Sequence, residues 1–147
     1  MTTAVFLSNA TVNITQGATT VDVSNQCTSV SLQIGFDSLE TTAMGDTGRR
    51  YTKGMSQVEV TLEMWLSYGG SGTSSEVETI LASCVGQGNT TLVISPSGQT
   101  ESASNPEYTI SNAMLANFTP INSNVGELAT VTAVFVGGTW ARDITFP

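Results

Sequence analysis

The stretch that decides the fold is FDSLETTAMGDTGRRYTKGMSQVEVTLEMWL, residues Phe36–Leu66. It begins at the end of an alternating apolar run, passes through a polar segment punctuated by glycine, and enters a second alternating run. Alternation with a period of two is typical of β-strands that bury one face. The stretch therefore predicts two strands joined by a long polar loop over residues 37–57.

The second run, Val58–Leu66, is the most regular strand pattern in the chain. Its apolar side chains fall at every second position, at Val58, Val60, Leu62, Met64 and Leu66. Because successive side chains of a strand point to opposite faces, Glu59, Thr61 and Glu63 must share the other face. The pattern predicts a core-facing strand whose outer face is acidic. For the glutamates, a role in function and a plain solvent-facing position remain about equally supported.

Other strand-like patterns flank this stretch on both sides. They cover Ala4–Thr15, Thr28–Phe36, Thr91–Ser95, Tyr108–Phe118 and Glu127–Val136. One helix is predicted over residues 75–85, because Ser75 and Glu78 have capping-box spacing. Apolar residues there recur at helical spacing and form one stripe, at Val77, Ile80, Leu81, Cys84 and Val85.

The expected fold class is mostly β: a β-sandwich or barrel with one flanking α-helix. We find no internal repeat and no linker, so residues 1–147 are interpreted as a single domain. Within it we expect an N-terminal arm over about residues 1–17 and a C-terminal tail over about residues 139–147.

Composition limits the possible functions. The net charge is −8, histidine is absent, and only 11% of residues are charged, against roughly 25% in ordinary domains. An acidic chain does not attract nucleic acid phosphates or anionic membranes. No signal peptide pattern and no apolar run of membrane-spanning length is present. Cys27 and Cys84 are far apart in sequence and are predicted to be free, buried thiols of a chain that folds in a reducing cytosol.

No catalytic, cofactor-binding or metal-binding site is predicted. Without histidine there is no Ser-His or Cys-His pair, and carboxylates in calcium-loop spacing are missing. The sharpest enzymatic candidate is Asp46-Thr47-Gly48, which resembles the active-site triplet of retroviral-type aspartic proteases. Arg49 and Arg50 follow it directly, and cations favour two ionised carboxylates over the shared proton of such a dyad. The triplet is therefore interpreted as a turn.

The basic residues are concentrated in the same segment. Arg49, Arg50 and Lys53 are three of the four cations in the chain. A solvated patch would be the simplest interpretation, but a basic loop on an acidic body also suits contact between copies of one protein. We predict an inter-subunit contact loop formed by Asp46, Arg49, Arg50, Tyr51 and Lys53.

The amino-acid sequence of this segment resembles that of the major tail tube protein of long, non-contractile-tailed bacteriophages. The residues that carry the resemblance are Ser29–Leu32, Thr42–Thr47, Arg50-Tyr51, Gly54 and Val58–Met64. A late Gly-Glu-x-Ala-Thr-x-Thr strand over residues 126–132 follows in the same order. The order of the predicted elements resembles that of the family over most of the chain. The specific sequence motifs are confined to residues 36–66.

The resemblance implies a structural protein. Its subunits would form a ring, typically a hexamer, whose inner strands join into one continuous barrel. Stacked rings would enclose a tape-measure protein and later conduct DNA without binding it specifically, with tail terminator and tail-tip proteins as further partners. The long loop would reach a neighbouring subunit, and Glu59, Thr61 and Glu63 would face the lumen. The expected location is the virion tail, after assembly in the host bacterial cytoplasm.

Two other classes of function stay open at this point. One is a different structural subunit of a phage or phage-like injection machine, such as a tail terminator, a decoration protein or a related tube protein. The other is an adhesin-like β-sandwich that acts as a binding module. The scattered positions of Trp65, Tyr68 and Trp140 speak against a binding module, because such a site requires clustered aromatic side chains.

Overall fold

The computed structural model describes residues 10–72, 75–97 and 105–144. These residues form eight strands and one helix: β1 Thr11–Gln16, β2 Thr19–Asp22, β3 Cys27–Glu40, β4 Tyr51–Trp65, α1 Val77–Cys84, β5 Thr90–Ser95, β6 Glu107–Asn117, β7 Thr130–Val136 and β8 Thr139–Asp143. The predicted fold class, mostly β with a single helix, is confirmed. The parts of the predicted N-terminal arm and C-terminal tail at residues 1–9 and 145–147 lie outside the described residues.

All strand pairs are antiparallel, in the order β2-β1-β5-β6-β7-β4-β3, with β8 also paired to β6. The two ends of this order, β2 and β3, are consecutive in the chain and are joined by residues 23–26. Within this link the Val23 amide donates to the Val12 carbonyl at 3.0 Å, and the Gln26 carbonyl accepts from the Trp65 amide at 2.8 Å. The link therefore contacts both β1 and β4 and draws the two ends of the sheet together.

Strand β6 is the corner at which the sheet turns from one layer into the other. Its first half pairs with β5 and β8, and its second half pairs with β7. Strands β7 and β8 both pair with β6 and together resemble one strand interrupted at Gly137-Gly138. These glycines lie opposite Asn112, which has a φ of 60°. The interruption is needed because the bend in β6 leaves no room for a side chain at Gly138.

The core lies between the two layers and beneath the helix. Helix α1 contributes its buried stripe of Val77, Ile80, Leu81 and Cys84, which confirms four of the five predicted positions. Val85 is exposed because the helix ends at Cys84. The same buried cluster contains the inner faces of the strands, including Val12, Ile14, Val60, Leu62, Leu92, Ile110 and Phe135.

The predicted capping box at the start of the helix is wrong. The Ser75 hydroxyl donates to the Gly72 carbonyl at 2.7 Å and makes no cap. Ser67 accepts the hydrogen bonds of the helix start instead. Its hydroxyl oxygen accepts from the Val77 amide at 3.2 Å, and its carbonyl accepts from the Glu78 amide at 2.9 Å. Amides at a helix start need an acceptor, and here a residue upstream of the first turn supplies it.

Several predicted boundaries are also corrected. The predicted loop over residues 37–57 is a hairpin, since β3 continues to Glu40 and β4 begins at Tyr51. The described part of the predicted C-terminal tail contains strand β8, which pairs with β6. Strand β7 begins at Thr130, three residues after the predicted start at Glu127, and strand β2 has no counterpart among the predicted elements.

Candidate assembly surfaces

The strands β3 and β4 project beyond the rest of the sheet as a hairpin. Strand β4 pairs with β7 only over Glu59–Trp65, whereas it pairs with β3 as far as Tyr51. We call residues 36–57, with the two strand ends and the turn between them, the arm. A two-stranded hairpin in water is at best marginally stable without further packing. Both faces of the arm are largely exposed, so the described remainder of the chain gives it little packing.

The turn of the arm is built around Asp46. Its amide donates to the Ala43 carbonyl at 3.1 Å, and its Oδ2 accepts from the Ala43 amide at 2.7 Å. The base of the turn is closed by the Thr41 amide donating to the Arg50 carbonyl at 2.8 Å. The hydrogen-bonded turn thus spans residues 43–46, so Asp46 closes it, and Thr47 and Gly48 of the predicted triplet follow it as a bend. The Asp46 carboxylate is engaged with the backbone.

The three cations of the arm each have a partner within the arm. Arg49 Nη1 lies 3.3 Å from Glu40 Oε2, and Arg50 Nη1 lies 3.8 Å from Asp46 Oδ1. Lys53 Nζ lies 5.2 Å above the ring of Phe36. Both arginine side chains are more than 70% exposed. Exposed ion pairs contribute on the order of 0–1 kcal/mol each, so exchanging these partners for others costs little.

The arm also exposes an unusual amount of apolar surface. Its large exposed side chains are Phe36, Leu39, Met44, Tyr51 and Met55. A register shift between Phe36 and Ser38 marks a bulge in the hairpin, where a Cβ at Gly54 would lie 3.0 Å from the Asp37 Cβ. Gly54, one of the residues that carries the family resemblance, therefore allows the two strands of the arm to approach each other closely.

The acidic face predicted for β4 is present. Glu59 and Glu63 are exposed and Thr61 is half-buried, while Val58, Val60, Leu62 and Met64 on the other face are buried. The flanking positions are small or uncharged: Gln33 and Val136 beside Glu59, and Ser29 and Thr132 beside Glu63. The structure thus brings the three residues onto one negatively charged sheet surface.

The outer edge of β3 is a feature that sequence reasoning missed. Among the described residues, β3 pairs only with β4, so within this part of the chain its other edge has no strand partner. Along this edge a groove of about 300 Å³ is lined by the half-buried side chains of Val30, Leu32 and Ile34, and by Ala10, Ile94, Ser95, Pro96 and Tyr108. The alternation in Thr28–Phe36 predicted the apolar face, but not that its cover would be incomplete.

A second apolar surface lies at the far end of the same sheet and was also missed. We call residues 118–129, between β6 and β7, the distal loop. It fully exposes Val125 and strongly exposes Ile121 and Leu128. Tyr68 holds the loop by donating its hydroxyl to the Pro120 carbonyl at 2.7 Å. Leu128 falls within the predicted strand Glu127–Val136, and Ile121 and Val125 precede that strand, so no local pattern marks these side chains as exposed.

The two cysteines are free thiols, and they lie in different environments. Burial, with a smaller effect of the nearby Asp22 carboxylate, raises the pKa of Cys27 from 9.0 to about 11. Burial also raises the pKa of Cys84. Cys84 is buried as predicted, whereas Cys27 is only half-buried. Neither thiol is activated as a nucleophile, because nucleophilic cysteines have lowered pKa values.

Within the described ranges 10–72, 75–97 and 105–144, no three metal-ligating side chains are grouped so that they could hold an ion. In the same part of the chain, no helix has the length and apolar character to cross a membrane. What the described surfaces do offer is a free strand edge, an acidic sheet face, a projecting arm and an exposed apolar loop. These are features of association between protein molecules.

No protein-family model matches the sequence, and no curated protein matches it either. Solved structures do share its fold. The SPP1 tail tube superimposes with a TM-score of 0.73 at 6% identity, covering 98% of this chain and 81% of that one. A chain of the PVC sheath–tube complex, from an extracellular contractile injection system, gives a TM-score of 0.64 at 14% identity and covers 97% and 93%.

A third similar structure is a tube cap. A chain of the tube-terminating cap of the anti-feeding prophage gives a TM-score of 0.62 at 15% identity, covering 99% of this chain and 95% of that one. The protein therefore has the fold of tail tube and tube terminator proteins of phage and phage-like particles. Because contractile systems are among them, the fold supports the tail tube class more strongly than its non-contractile type.

Proposed function

We propose that this chain is a structural subunit of a tail tube, which self-assembles into rings that stack into a hollow conduit. The observation that carries the proposal is the outer edge of β3, which has no strand partner among the described residues, on a fold shared over nearly the whole chain with tube proteins. A long free edge is a template for strand pairing, and monomeric proteins avoid one. A tube subunit uses such an edge.

Ring closure follows from pairing this edge with the sheet of a neighbouring copy. The contact covers the half-buried Val30, Leu32 and Ile34 and fills the groove beside them. Repetition around an axis joins the β6-β7-β4-β3 layer of each copy into one continuous barrel, which has no edges left. We infer a hexamer, the ring size that the family resemblance implies.

In such a ring Glu59, Thr61 and Glu63 face the lumen. Their sheet face is acidic, and the flanking described side chains of β3 and β7 are uncharged. A negative wall repels DNA phosphates, and at a Debye length of about 8 Å the repulsion acts only near the wall. The lumen thus conducts DNA without specific binding, which suits the delivery of a genome.

The arm makes the contact between subunits or rings. Asp46, Arg49, Arg50, Tyr51 and Lys53 lie on its exposed turn and strand ends. The ion pairs of Arg49 and Arg50 lie within the arm, and both arginine side chains are more than 70% exposed, so a neighbouring copy can replace these partners at little cost. The further partners are a tape-measure protein inside the tube and terminator and tail-tip proteins at its ends. The location is the tail of a virion, assembled in the cytoplasm of a bacterial host.

A tube terminator is the second candidate. The observation that favours it is the similarity to the tube-terminating cap of the anti-feeding prophage, which covers 99% of this chain. A terminator forms one ring and adds to the end of a tube, whereas a tube subunit continues to stack. The two functions therefore differ in the assembly that the purified chain forms by itself.

Negative-stain electron microscopy of the concentrated, purified chain tests both functions. Long hollow tubes of uniform diameter are the expected result. Isolated rings that do not stack would instead assign the terminator function. Monomers that persist at high concentration and low salt would contradict both and would favour a binding module.

A further inference from the structure

The groove beside β3 is an opening in the side of the core. The residues that line it come from β3, from the end of β5 with Pro96 after it, and from β6, and none of them is charged. Val30, Leu32 and Tyr108 pack against the buried core and are themselves only half-buried. Removing such apolar surface from water is favourable. The groove, with its volume of about 300 Å³, therefore suits an uncharged, apolar occupant.

The chain passes the wall of this groove at Ala10. Ala10 lines the groove and directly precedes β1. The ladder between β1 and β5 ends at the pair of Thr11 and Ser95, and Pro96, the residue after Ser95, has no amide hydrogen to donate to a further pair. By connectivity, the nine residues that precede Ala10 start at the groove and not beside a continuing strand of β5.

The residues before Ala10 match the groove in chemistry. They are MTTAVFLSN, without a charged side chain, and Ala4–Leu7 is a continuous apolar run. The other stretches outside the described ranges are residues 73–74, 98–104 and 145–147. None of these contains more than one Val, Leu, Ile, Met or Phe. Among these stretches, the run Ala4–Leu7 is therefore the one whose side chains fit an apolar groove.

The segment also has the length and the attachment that the groove requires. Val30 and Ile34 are four residues apart on β3, which is about 13 Å, and residues 4–8 in an extended conformation span the same distance. Because the segment is joined to the groove wall at Ala10, its effective concentration there is on the order of millimolar. In dilute protein, an attached occupant binds before one from a second copy does.

We propose that residues 4–8 occupy the groove beside β3 of their own chain before assembly, and that ring closure displaces them. The segment covers Val30, Leu32 and Ile34, so that a single subunit does not offer this side of β3 to stray strand pairing. Occupation of the groove concerns the single chain alone. Displacement rests on the proposed tube function, in which a neighbouring copy fills the same groove. The competition slows spontaneous assembly, because a ring closes only after the segment is released.

Thiol labelling in dilute solution tests the occupation of the groove. Leu32→Cys places a reporter thiol in the groove. The variant Val5→Ser/Phe6→Ser/Leu7→Ser removes the apolar side chains of the segment without shortening it. Both proteins are treated with a maleimide at about pH 7, where native thiols with raised pKa values react slowly. Cys84 is buried, so its labelling reports any unfolding.

The matched control makes the same kind of change at another apolar surface. Ile121→Ser/Val125→Ser/Leu128→Ser alters three exposed side chains of the distal loop, none of which lines the groove. Combined with the Leu32→Cys reporter, this control should label at the rate of the reporter alone. The parent chain without the reporter measures the background labelling of the native thiols.

We expect the serine substitutions at residues 5–7 to raise the labelling rate of Leu32→Cys at least about tenfold while Cys84 stays protected. A peptide of residues 1–9 in excess should restore slow labelling, and the same peptide with the three serines should not. Equal rates with and without the serines would overturn the contact. Protection that increases with protein concentration would also overturn it, because the occupant would then come from a second copy.

A second variant keeps the test independent of removing the segment. Phe6→Cys/Leu32→Cys, treated with a short bismaleimide in dilute solution, should give a cross-link within one chain. The matched control is Phe6→Cys/Ala82→Cys, with the second thiol on the exposed part of α1, and it should give none. Failure of Phe6→Cys/Leu32→Cys to cross-link would overturn the contact even if the serine variant unfolded.

The rate of assembly tests the displacement separately. Without the reporter, the serine variant of residues 5–7 should form tubes after a shorter lag than the parent, and Thr2→Ala/Thr3→Ala should keep the parent lag. An unchanged or longer lag in the serine variant would overturn the competition. Tubes from a chain whose groove labels equally fast with and without the serines would overturn the contact and leave the tube function standing. A protected groove in a chain that remains monomeric at high concentration would support the contact and contradict the tube function.

Discussion

Gly138 lies directly against the backbone of Ser111: a Cβ at position 138 would stand 2.1 Å from the Ser111 carbonyl oxygen. Gly137, its neighbour, has nearly the same φ, 82° against 85°, and faces open space. Substitutions at Gly137 and Gly138 therefore separate two free-energy costs that usually occur together. One is the left-handed backbone conformation, and the other is a collision with a backbone atom at the corner of the sheet.

We expect Gly137→Ala to lower the free energy of unfolding by about 1–2 kcal/mol, the cost of a Cβ in the left-handed region. Gly138→Ala adds the collision, and we expect it to cost about 4 kcal/mol or more. Urea unfolding of the two variants and the parent protein measures the difference. Equal losses for the two variants would show that β6 and the Gly137-Gly138 link do not approach as described.

Gly54→Ala is expected to disrupt the arm and spare the core. Its Cβ would press on Asp37 at the bulge, at contact distances of 3.0–3.1 Å. The matched control is Gly48→Ala in the turn of the arm, where no atom lies within 4 Å of the added Cβ. Hydrogen exchange should accelerate at least tenfold for amides of the arm in Gly54→Ala, while amides of β1, β5 and β6 remain protected. Acceleration throughout the protein would contradict an arm that is independent of the core.

Reversing the cations of the arm should prevent tube growth without unfolding the protein. The variant Arg49→Glu/Arg50→Glu/Lys53→Glu loses exposed pairs whose contribution is on the order of 0–1 kcal/mol each. We therefore expect a nearly unchanged melting temperature and strongly slowed assembly, followed by light scattering and micrographs. As a control, Arg142→Glu reverses the remaining cation outside the arm. Assembly of the triple variant at the parent rate would remove the arm cations from the contact.

Reversing the charge of the acidic face should cause the tube to retain DNA. In Glu59→Lys/Glu63→Lys, four charge units per subunit shift from repelling to attracting phosphates, so tubes should bind DNA with a steep salt dependence. The Glu59→Gln/Glu63→Gln variant keeps the shape, removes the charge and should bind little. Sedimentation of tubes with short DNA measures retention. DNA bound equally by both variants would argue that this face does not line the lumen.

The Cys27 thiol should make the protein less stable at alkaline pH. Its pKa is about 11 in the folded chain, against 9.0 for an ordinary thiol. Between these values the unfolded chain loses the proton first, so folding stability falls as pH rises from about 9 to about 11. The slope is at most about 1.4 kcal/mol per pH unit, because only one proton is involved, and solvent screening at the partly exposed site lowers the total effect. Stability curves of the parent and Cys27→Ala should diverge in this window, and parallel curves would contradict the pKa.

Residues 58–66 show what the sequence could predict. Strict alternation is produced when one face of a strand is buried and the other is solvated, so the pattern predicted both the core face and the acidic face of β4. The stripe of α1 was predictable for the same reason. Both features arise from burial within one element, which leaves its period in the local sequence.

The arm and the helix cap show what the sequence could not predict. Both faces of the arm are exposed, so no alternation marks Asp37–Glu40 as a strand, and its glycines and polar residues favoured a loop. The helix start is completed by Ser67, ten residues from Val77, and this partner is set by the tertiary fold. The groove beside β3 combines Val30 with Tyr108, a pairing that no local pattern contains.

Strands β3 and β4 run from the arm into the acidic face with continuous cross-strand pairing, interrupted only by the bulge near Phe36. The arm and the acidic face are therefore parts of the same two backbones. Tension applied at the turn of the arm passes along covalent bonds into the sheet, and the bulge near Phe36 lies on its path. In the proposed tube, a load on the arm would therefore be carried by the main chains of β3 and β4, and a deformation at one end of a subunit would reach its sheet as a displacement of strands.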